Sequence, residues 1–239
     1  MSFREPDWAT TAPAQMAAAF DAGLRRHMLA VYNFMGLGLV LTGAVALGVA
    51  AVPALYVPLF TTPLKWVVML APLAFVMILS FRIEKMSAAT AQAAFWAFCA
   101  VMGLSMASIF LTFTGVSIAR TFFITAAAFG ALSLYGYATK RDLTKLGGFL
   151  FMGLIGVVLA SVVNIFLQSS GLQFIVSIVG VLVFTGLTAF DTQRIKLQYA
   201  EHAGHEPDRK LAVFNALSLY LNFINIFQLL LNLTGEREQ

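Results

Sequence analysis

The sequence predicts an all-α integral membrane protein with seven transmembrane helices, and three observations lead to this fold class. Of 239 residues, 60% are hydrophobic and only 11% are charged, against about 25% charged in ordinary soluble domains. The mean hydropathy is +0.85. Asp, Glu, Lys and Arg are absent from residues 27–64, 86–119 and 146–190. A soluble core cannot absorb such stretches and keep a wettable surface, so we exclude a soluble enzyme, a secreted domain and a disordered chain.

Each element follows from the length of its apolar segment. A helix needs about 20 mostly apolar residues to cross about 30 Å of hydrocarbon with all its backbone groups bonded. The second span is the shortest and contains Pro72, while Lys65 and Arg82 at its ends can reach outward to the interface. The three prolines between residues 53 and 63 predict a loop. The predicted spans are 28–52, 66–81, 92–113, 121–139, 147–167, 172–190 and 211–233.

The distribution of Lys and Arg predicts the orientation, because cytoplasmic loops of membrane proteins are rich in these residues. With the N-terminus inside, the cytoplasmic segments hold 12 of the 15 Lys and Arg residues and the outer segments hold 3. This favours a cytoplasmic N-terminus and an outer C-terminus, and the net charge of +4 then requires no nucleic-acid partner. We divide the chain into an N-terminal cytoplasmic segment, 1–24, and one seven-helix membrane domain, 25–235.

The seventh span carries a stripe of polar side chains. At 100° per residue, its six members fall within about 140° of arc on one helix face. Carboxamides that face lipid would cost on the order of several kcal/mol each, so the stripe must face protein or water. Interhelical hydrogen bonds and the lining of a hydrated passage both explain it. The polar stripe consists of Asn215, Ser218, Asn222, Asn225, Gln228 and Asn232.

Asp191, at the predicted end of the sixth helix, is the acidic residue next to a span whose position most favours a functional role. It shares a helix face with Thr188 and Arg194, each three residues away. An ordinary boundary carboxylate paired with Arg194 is one interpretation. The other is a functional site on an ion or proton path, because ionisable groups at membrane depth are costly and are usually retained for function.

The sequence offers few other candidates for a metal-binding or catalytic site. Residues 201–206 place His and Glu at metal-like spacing, but we interpret this segment as a solvated loop. The sequence shows no phosphate-binding loop and no nucleophile–base set, so we expect no enzymatic activity and no catalytic residues. Small residues on shared helix faces predict close helix packing. These pairs are Gly36 and Gly43, Gly103 and Ala107, Ala126 and Gly130, and Gly153 and Gly156.

Four segments together point to a family. Residues 184–196 read FTGLTAFDTQRIK, and residues 216–227 read ALSLYLNFINIF. They resemble the motifs of the sixth and seventh helices of the Bax inhibitor family (TMBIM, transmembrane Bax inhibitor motif-containing). Residues 102–110 and 129–136 resemble its bacterial branch, and the likeness covers about residues 20–235.

The resemblance implies six helices surrounding a central seventh, and a pH-sensitive calcium leak. Bacterial members are also described as partners or modulators of membrane proteases. The family's pH sensor is a pair of aspartates, one on the sixth helix and one on the seventh. Two such carboxylates repel each other when both are ionised, so one keeps its proton to a higher pH. The first aspartate matches Asp191, and the second falls on Asn222.

The departure at Asn222 alters what the resemblance implies. Asn has nearly the shape of a carboxylic acid but stays neutral, so we expect Asp191 to titrate in a single step and steep pH gating to be weakened. Calcium prefers several oxygen ligands and would bind Asp191 only weakly, as a permeating or regulatory ion and not as a cofactor. We expect Asn215, Ser218 and Asn225 to line a hydrated interior.

The expected setting is the bacterial inner membrane, with the lipid bilayer and calcium ions as partners. A non-conducting regulator or partner of a membrane protease or quality-control complex is the alternative. Such a protein would use its N-terminal segment and loops more than its helix interior.

Overall fold

The computed structural model describes residues 8–82, 85–201 and 209–238, with side chains from residue 19 onward except 80 and 81. These residues form eight helices and no strand. The all-α fold class is therefore confirmed. The helices are α1 (Trp8–Ala50), α2 (Pro53–Thr61), α3 (Leu64–Arg82), α4 (Ala88–Thr112), α5 (Gly115–Ala138), α6 (Thr144–Leu167), α7 (Ser170–Glu201) and α8 (Arg209–Thr234).

Within the described ranges, six helices are long and apolar enough to cross a membrane: α1, α4, α5, α6, α7 and α8. The pair α2 and α3 supplies a seventh span if it acts as one, with the two axes bent by 88°. The predicted loop over residues 53–63 was wrong, because α2 occupies most of it. Pro53 begins this helix. At this position a backbone N–H would have no partner within the helix, so its absence costs nothing, and the fixed φ of proline favours helix initiation.

Two helices extend well beyond the hydrocarbon. At 1.5 Å per residue, the 43 residues of α1 and the 32 residues of α7 measure about 65 and 48 Å, against about 30 Å of hydrocarbon. Asp191 therefore does not end its helix as predicted, since α7 continues to Glu201. Charged residues limit the apolar segment, but they do not stop the helix. The expected boundary between residues 24 and 25 lies within α1.

The last helix, α8, occupies the centre of the bundle, as expected. It is the most buried of the six long apolar helices and packs against α1, α4, α5 and α7. Ala216, Leu219 and Tyr220 are completely buried. Helices α3 and α6 lie further out, since α3 packs mainly on α4 and α6 mainly on α7.

A buried hydroxyl network joins three helices at this centre. The Thr42 hydroxyl of α1 donates to the carbonyl of Cys99 on α4 at 2.9 Å. The hydroxyl of Tyr220 on α8 lies 2.6 Å from the same Thr42 oxygen. Because the Thr42 hydrogen is used by Cys99, Tyr220 is the donor. Phe95 and Phe98 pack edge-on against the Tyr220 ring, so the network lies in an apolar setting.

Tyr220→Phe is expected to lower the free energy of unfolding by about 1 kcal/mol, since the ring contacts remain and only one interhelical hydrogen bond is lost. The thermal midpoint of the protein in detergent measures the effect. Tyr135→Phe, on the exposed surface of α5, is the control and should leave the midpoint unchanged. A Tyr220→Phe protein as stable as the control would contradict the structural role of this network.

Candidate functional site

Asp191 of α7 contacts Asn222 of α8 inside the bundle. The Asn222 amide nitrogen donates to Asp191 Oδ2 at 2.8 Å. Both side chains are buried, with 7% of Asp191 and 5% of Asn222 exposed. The structure thus brings together the two residues that the sequence analysis aligned with the family's aspartate pair.

Arg194 engages the other oxygen of this carboxylate. Its Nη2 atom lies 3.3 Å from Asp191 Oδ1 and 3.4 Å from the hydroxyl of Ser218, to which it donates. A buried carboxylate is destabilising without such a partner, so Arg194 offsets much of the cost of placing Asp191 here. Asp191 is thus paired with Arg194 at i+3, and it lies buried where two helices meet.

This cluster forms part of the wall of a cavity of about 560 Å³ between α3, α4, α6, α7 and α8. Apolar side chains such as Leu73 of α3 and Phe151 of α6 form other parts of the wall. Four members of the polar stripe are among the lining residues. The polar and charged residues that α7 and α8 contribute to this wall are Asp191, Arg194, Ser218, Asn222, Asn225 and Gln228.

Two members of the polar stripe lie elsewhere. Asn215 is completely buried, and its amide nitrogen lies 3.5 Å from Nε2 of His27 on α1. It is not among the residues that line the cavity, because α1 covers this edge of the stripe. Asn232, near the far end of α8, lines a second cavity of about 430 Å³ together with Asn164 and Gln173.

Asn225 lies one turn beyond Asn222 along the cavity wall. Its amide nitrogen donates to the Leu221 carbonyl of its own helix at 2.7 Å. This intrahelical bond satisfies one of the two amide hydrogens without a neighbouring helix. Asn225 therefore contributes to the polar wall without taking part in the contact between α7 and α8.

Gln193, which was not predicted as a functional residue, fixes the segment of α7 that carries Asp191. Its carbonyl oxygen accepts from the Leu143 backbone at 2.8 Å, and its amide nitrogen donates to the Arg141 carbonyl at 2.8 Å. The side chain thus clamps the connection between α5 and α6. The unbroken polar run from Asp191 to Arg194 was the available signal, because polar groups pointing in all directions indicate a helix surrounded by protein.

Gln193→Leu should lower the free energy of unfolding by about 1–3 kcal/mol, because the substitution leaves two backbone groups of this connection without their partner. Thermal unfolding in detergent measures the change. Gln173→Leu, on an exposed part of α7, is the matched control with little expected effect. Equal midpoints for the two variants would count against the clamp.

A resident metal centre is not evident in the described part of the chain, where no three His, Cys, Asp or Glu side chains lie together as ligands. Calcium takes about 6–8 oxygen ligands, and Asp191 is a single carboxylate whose two oxygens already have partners. The His-containing segment 202–206 lies outside the described residues.

Known proteins similar to this chain identify its family. The family described as inhibitor of apoptosis-promoting Bax1 matches residues 24–239. Inner membrane protein YbhL of Escherichia coli is 46% identical over 224 residues, covering 90% of this chain and 94% of YbhL. A Caulobacter vibrioides protein is 47% identical over 239 residues, covering 95% of this chain and 96% of that protein. Protein RP147 of Rickettsia prowazekii is 47% identical over 218 residues, covering 91% and 92%. The chain belongs to the Bax inhibitor family of membrane proteins.

Proposed function

We propose that this protein lets calcium or related cations leak across a bacterial inner membrane, along the cavity at Asp191. The observation that carries the proposal is a buried carboxylate in a cavity whose wall holds four polar-stripe residues of the central helix. The name of the relative YbhL, an inner membrane protein, supports this location. The excess of Lys and Arg in the predicted inner loops supports a cytoplasmic N-terminus and an outer C-terminus.

The chemistry of the cavity suits passage of a cation. An ion that enters a membrane protein needs oxygen atoms to replace its hydration water, and the wall offers one carboxylate with the amide and hydroxyl oxygens of Ser218, Asn222 and Asn225. Arg194 opposes passage as long as it holds Asp191, because its charge repels an incoming cation. The arrangement therefore corresponds to a closed state, and opening requires the guanidinium to leave the carboxylate.

Flux measurements test the proposal. Protein reconstituted in liposomes loaded with a calcium dye should conduct, and Asp191→Asn should lower the flux by about tenfold, equivalent to a barrier increase of about 1.4 kcal/mol. Asp142→Asn is the control, since this carboxylate lies outside the spans and away from the cavity. Hydrogen bonds from Thr144 hold the pKa of Asp142 below its usual range, so it stays charged throughout the assay. Equal flux through folded wild-type and Asp191→Asn proteins would refute the mechanism.

A second candidate function is regulation of a membrane protease or another quality-control complex without conduction. The length of α1 favours it, because the helix begins at Trp8, well before the span predicted over residues 28–52. This projecting part offers a surface outside the bilayer. Deletion of residues 1–18 should remove a co-purifying protease and leave calcium flux intact. A complex that survives the deletion would count against this alternative.

A further inference from the structure

A long groove runs along the membrane-facing surface between α1 and α5. The two helices pack only loosely on each other, and one hydrogen bond between the hydroxyls of Tyr32 and Ser133 bridges them. Two cavities, of about 630 and 690 Å³, lie between them and share Gly36 and Phe223 as lining residues. We call the two together the α1–α5 groove, bounded by residues 25–47 of α1 and 115–137 of α5.

The α1–α5 groove is open to the membrane and is not filled by the protein's own side chains. A Cβ atom built on Gly36, Gly43 or Gly130 would meet nothing within 4 Å. Residues 25–47 rise by about 33 Å at 1.5 Å per residue, which matches the hydrocarbon thickness of about 30 Å. The groove is therefore long enough for lipid chains, and its apolar walls suit them.

One end of the groove is basic. Arg25 lines it and is exposed. At the same end, the Lys196 amine lies 3.1 Å from the Tyr137 carbonyl and 5.2 Å from the centre of the Tyr137 ring, and Tyr137 is another lining residue. Asp21 precedes Arg25 by one helical turn, but no acidic residue lines the described groove.

We propose that the α1–α5 groove is a binding site for an anionic phospholipid. The phosphate would lie between Arg25 and Lys196, and an acyl chain would pass over Gly36 and Gly130. Basic pockets between transmembrane helices favour anionic headgroups, whereas a second protein helix would fill the apolar part and give these two cations no counter-charge. The site is separate from the cavity at Asp191 and does not depend on ion permeation.

Native mass spectrometry of the full-length protein in detergent tests the proposal. The probes are dioleoyl phosphatidylglycerol and dioleoyl phosphatidylcholine in equal amounts, which share their chains and differ in headgroup charge. Wild-type protein should retain phosphatidylglycerol in preference to phosphatidylcholine. Arg25→Gln should reduce that preference about fivefold, which is the effect of one basic residue near an anionic lipid. Arg120→Gln, an exposed cation near the other end of α5, should behave as wild type.

Gly130→Phe should block the groove and abolish retention of both lipids. Gly148→Phe on α6 is its matched control, because this glycine is also exposed with nothing within 4 Å of its Cβ position. Gly36→Phe replaces Gly130→Phe if that variant does not fold. Equal retention of the two lipids, or no effect of Arg25→Gln or of the groove-filling variant, would overturn the proposal. A wild-type dimer that Gly130→Phe converts to monomers would assign the groove to a second copy instead.

Discussion

Asn222→Asp is expected to make calcium flux rise steeply with pH, whereas the wild-type profile stays shallow. The substitution replaces the amide that donates to Asp191 at 2.8 Å with a second acid, and one Arg194 cannot neutralise both. Acids in direct contact titrate as a coupled pair. As the pH rises, the second ionisation places two like charges between α7 and α8, which separates them and attracts calcium. We expect a change of about tenfold, equivalent to about 1.4 kcal/mol.

Asn225→Asp is the matched control for this experiment. It adds the same charge to the same cavity wall, but the Asn225 amide bonds to its own helix and not to Asp191. Flux through reconstituted protein is followed from acidic to mildly alkaline pH for all three proteins. If the two variants have the same profile, the contact at position 222 has no special role.

Gly136→Ala is expected to cause one of the largest losses of stability that a single methyl group can produce in this protein. A Cβ atom at this position of α5 would collide with the carbonyl oxygen of Ala189 on α7 and lie 2.9 Å from its Cα. The obstacle is backbone, so the helices themselves must separate. Overpacking costs about 1–3 kcal/mol or more. The same shift would move Asp191, two residues further along α7, and should also alter calcium flux.

The control for this prediction is Gly130→Ala on the same helix. Nothing lies within 4 Å of its Cβ position, and Ala is favoured over Gly within a helix by roughly 0.5–1 kcal/mol. This variant should be as stable as the wild type or slightly more so. Thermal midpoints in detergent distinguish the two, and equal midpoints would contradict the close contact between α5 and α7.

The spans could be predicted because they depend on composition along the chain, whereas the central position of α8 was implied by the family resemblance and agrees with its polar stripe. Gaps between charges define the apolar segments, and a polar stripe requires protein or water on its side. The register of Asp191 against Asn222 came from the family resemblance, since helical spacing alone cannot say which helices meet. For the same reason, spacing placed Arg194 within reach of Asp191 but could not show that Ser218 of α8 also contacts Arg194.

Small residues show where sequence spacing is insufficient. Gly103 packs closely on the Thr42 carbonyl and on Val45, as predicted for a helix contact. Four glycines have no neighbour within 4 Å of their Cβ positions, so the predicted contacts there were wrong: Gly36, Gly43, Gly130 and Gly156. Spacing assigns a residue to a helix face, but the arrangement of the other helices decides what lies opposite.

The hydration of the polar stripe beside Asp191 is tested most directly by cysteine accessibility. Cys99→Ser removes the single native thiol, which is completely buried. Two variants are then compared: Asn225→Cys in the cavity wall and Ala216→Cys at a completely buried position of α8. Both are treated with a membrane-impermeant thiol reagent in sealed liposomes. A hydrated passage predicts rapid reaction at position 225 and none at position 216. Equal failure to react at both positions would contradict it.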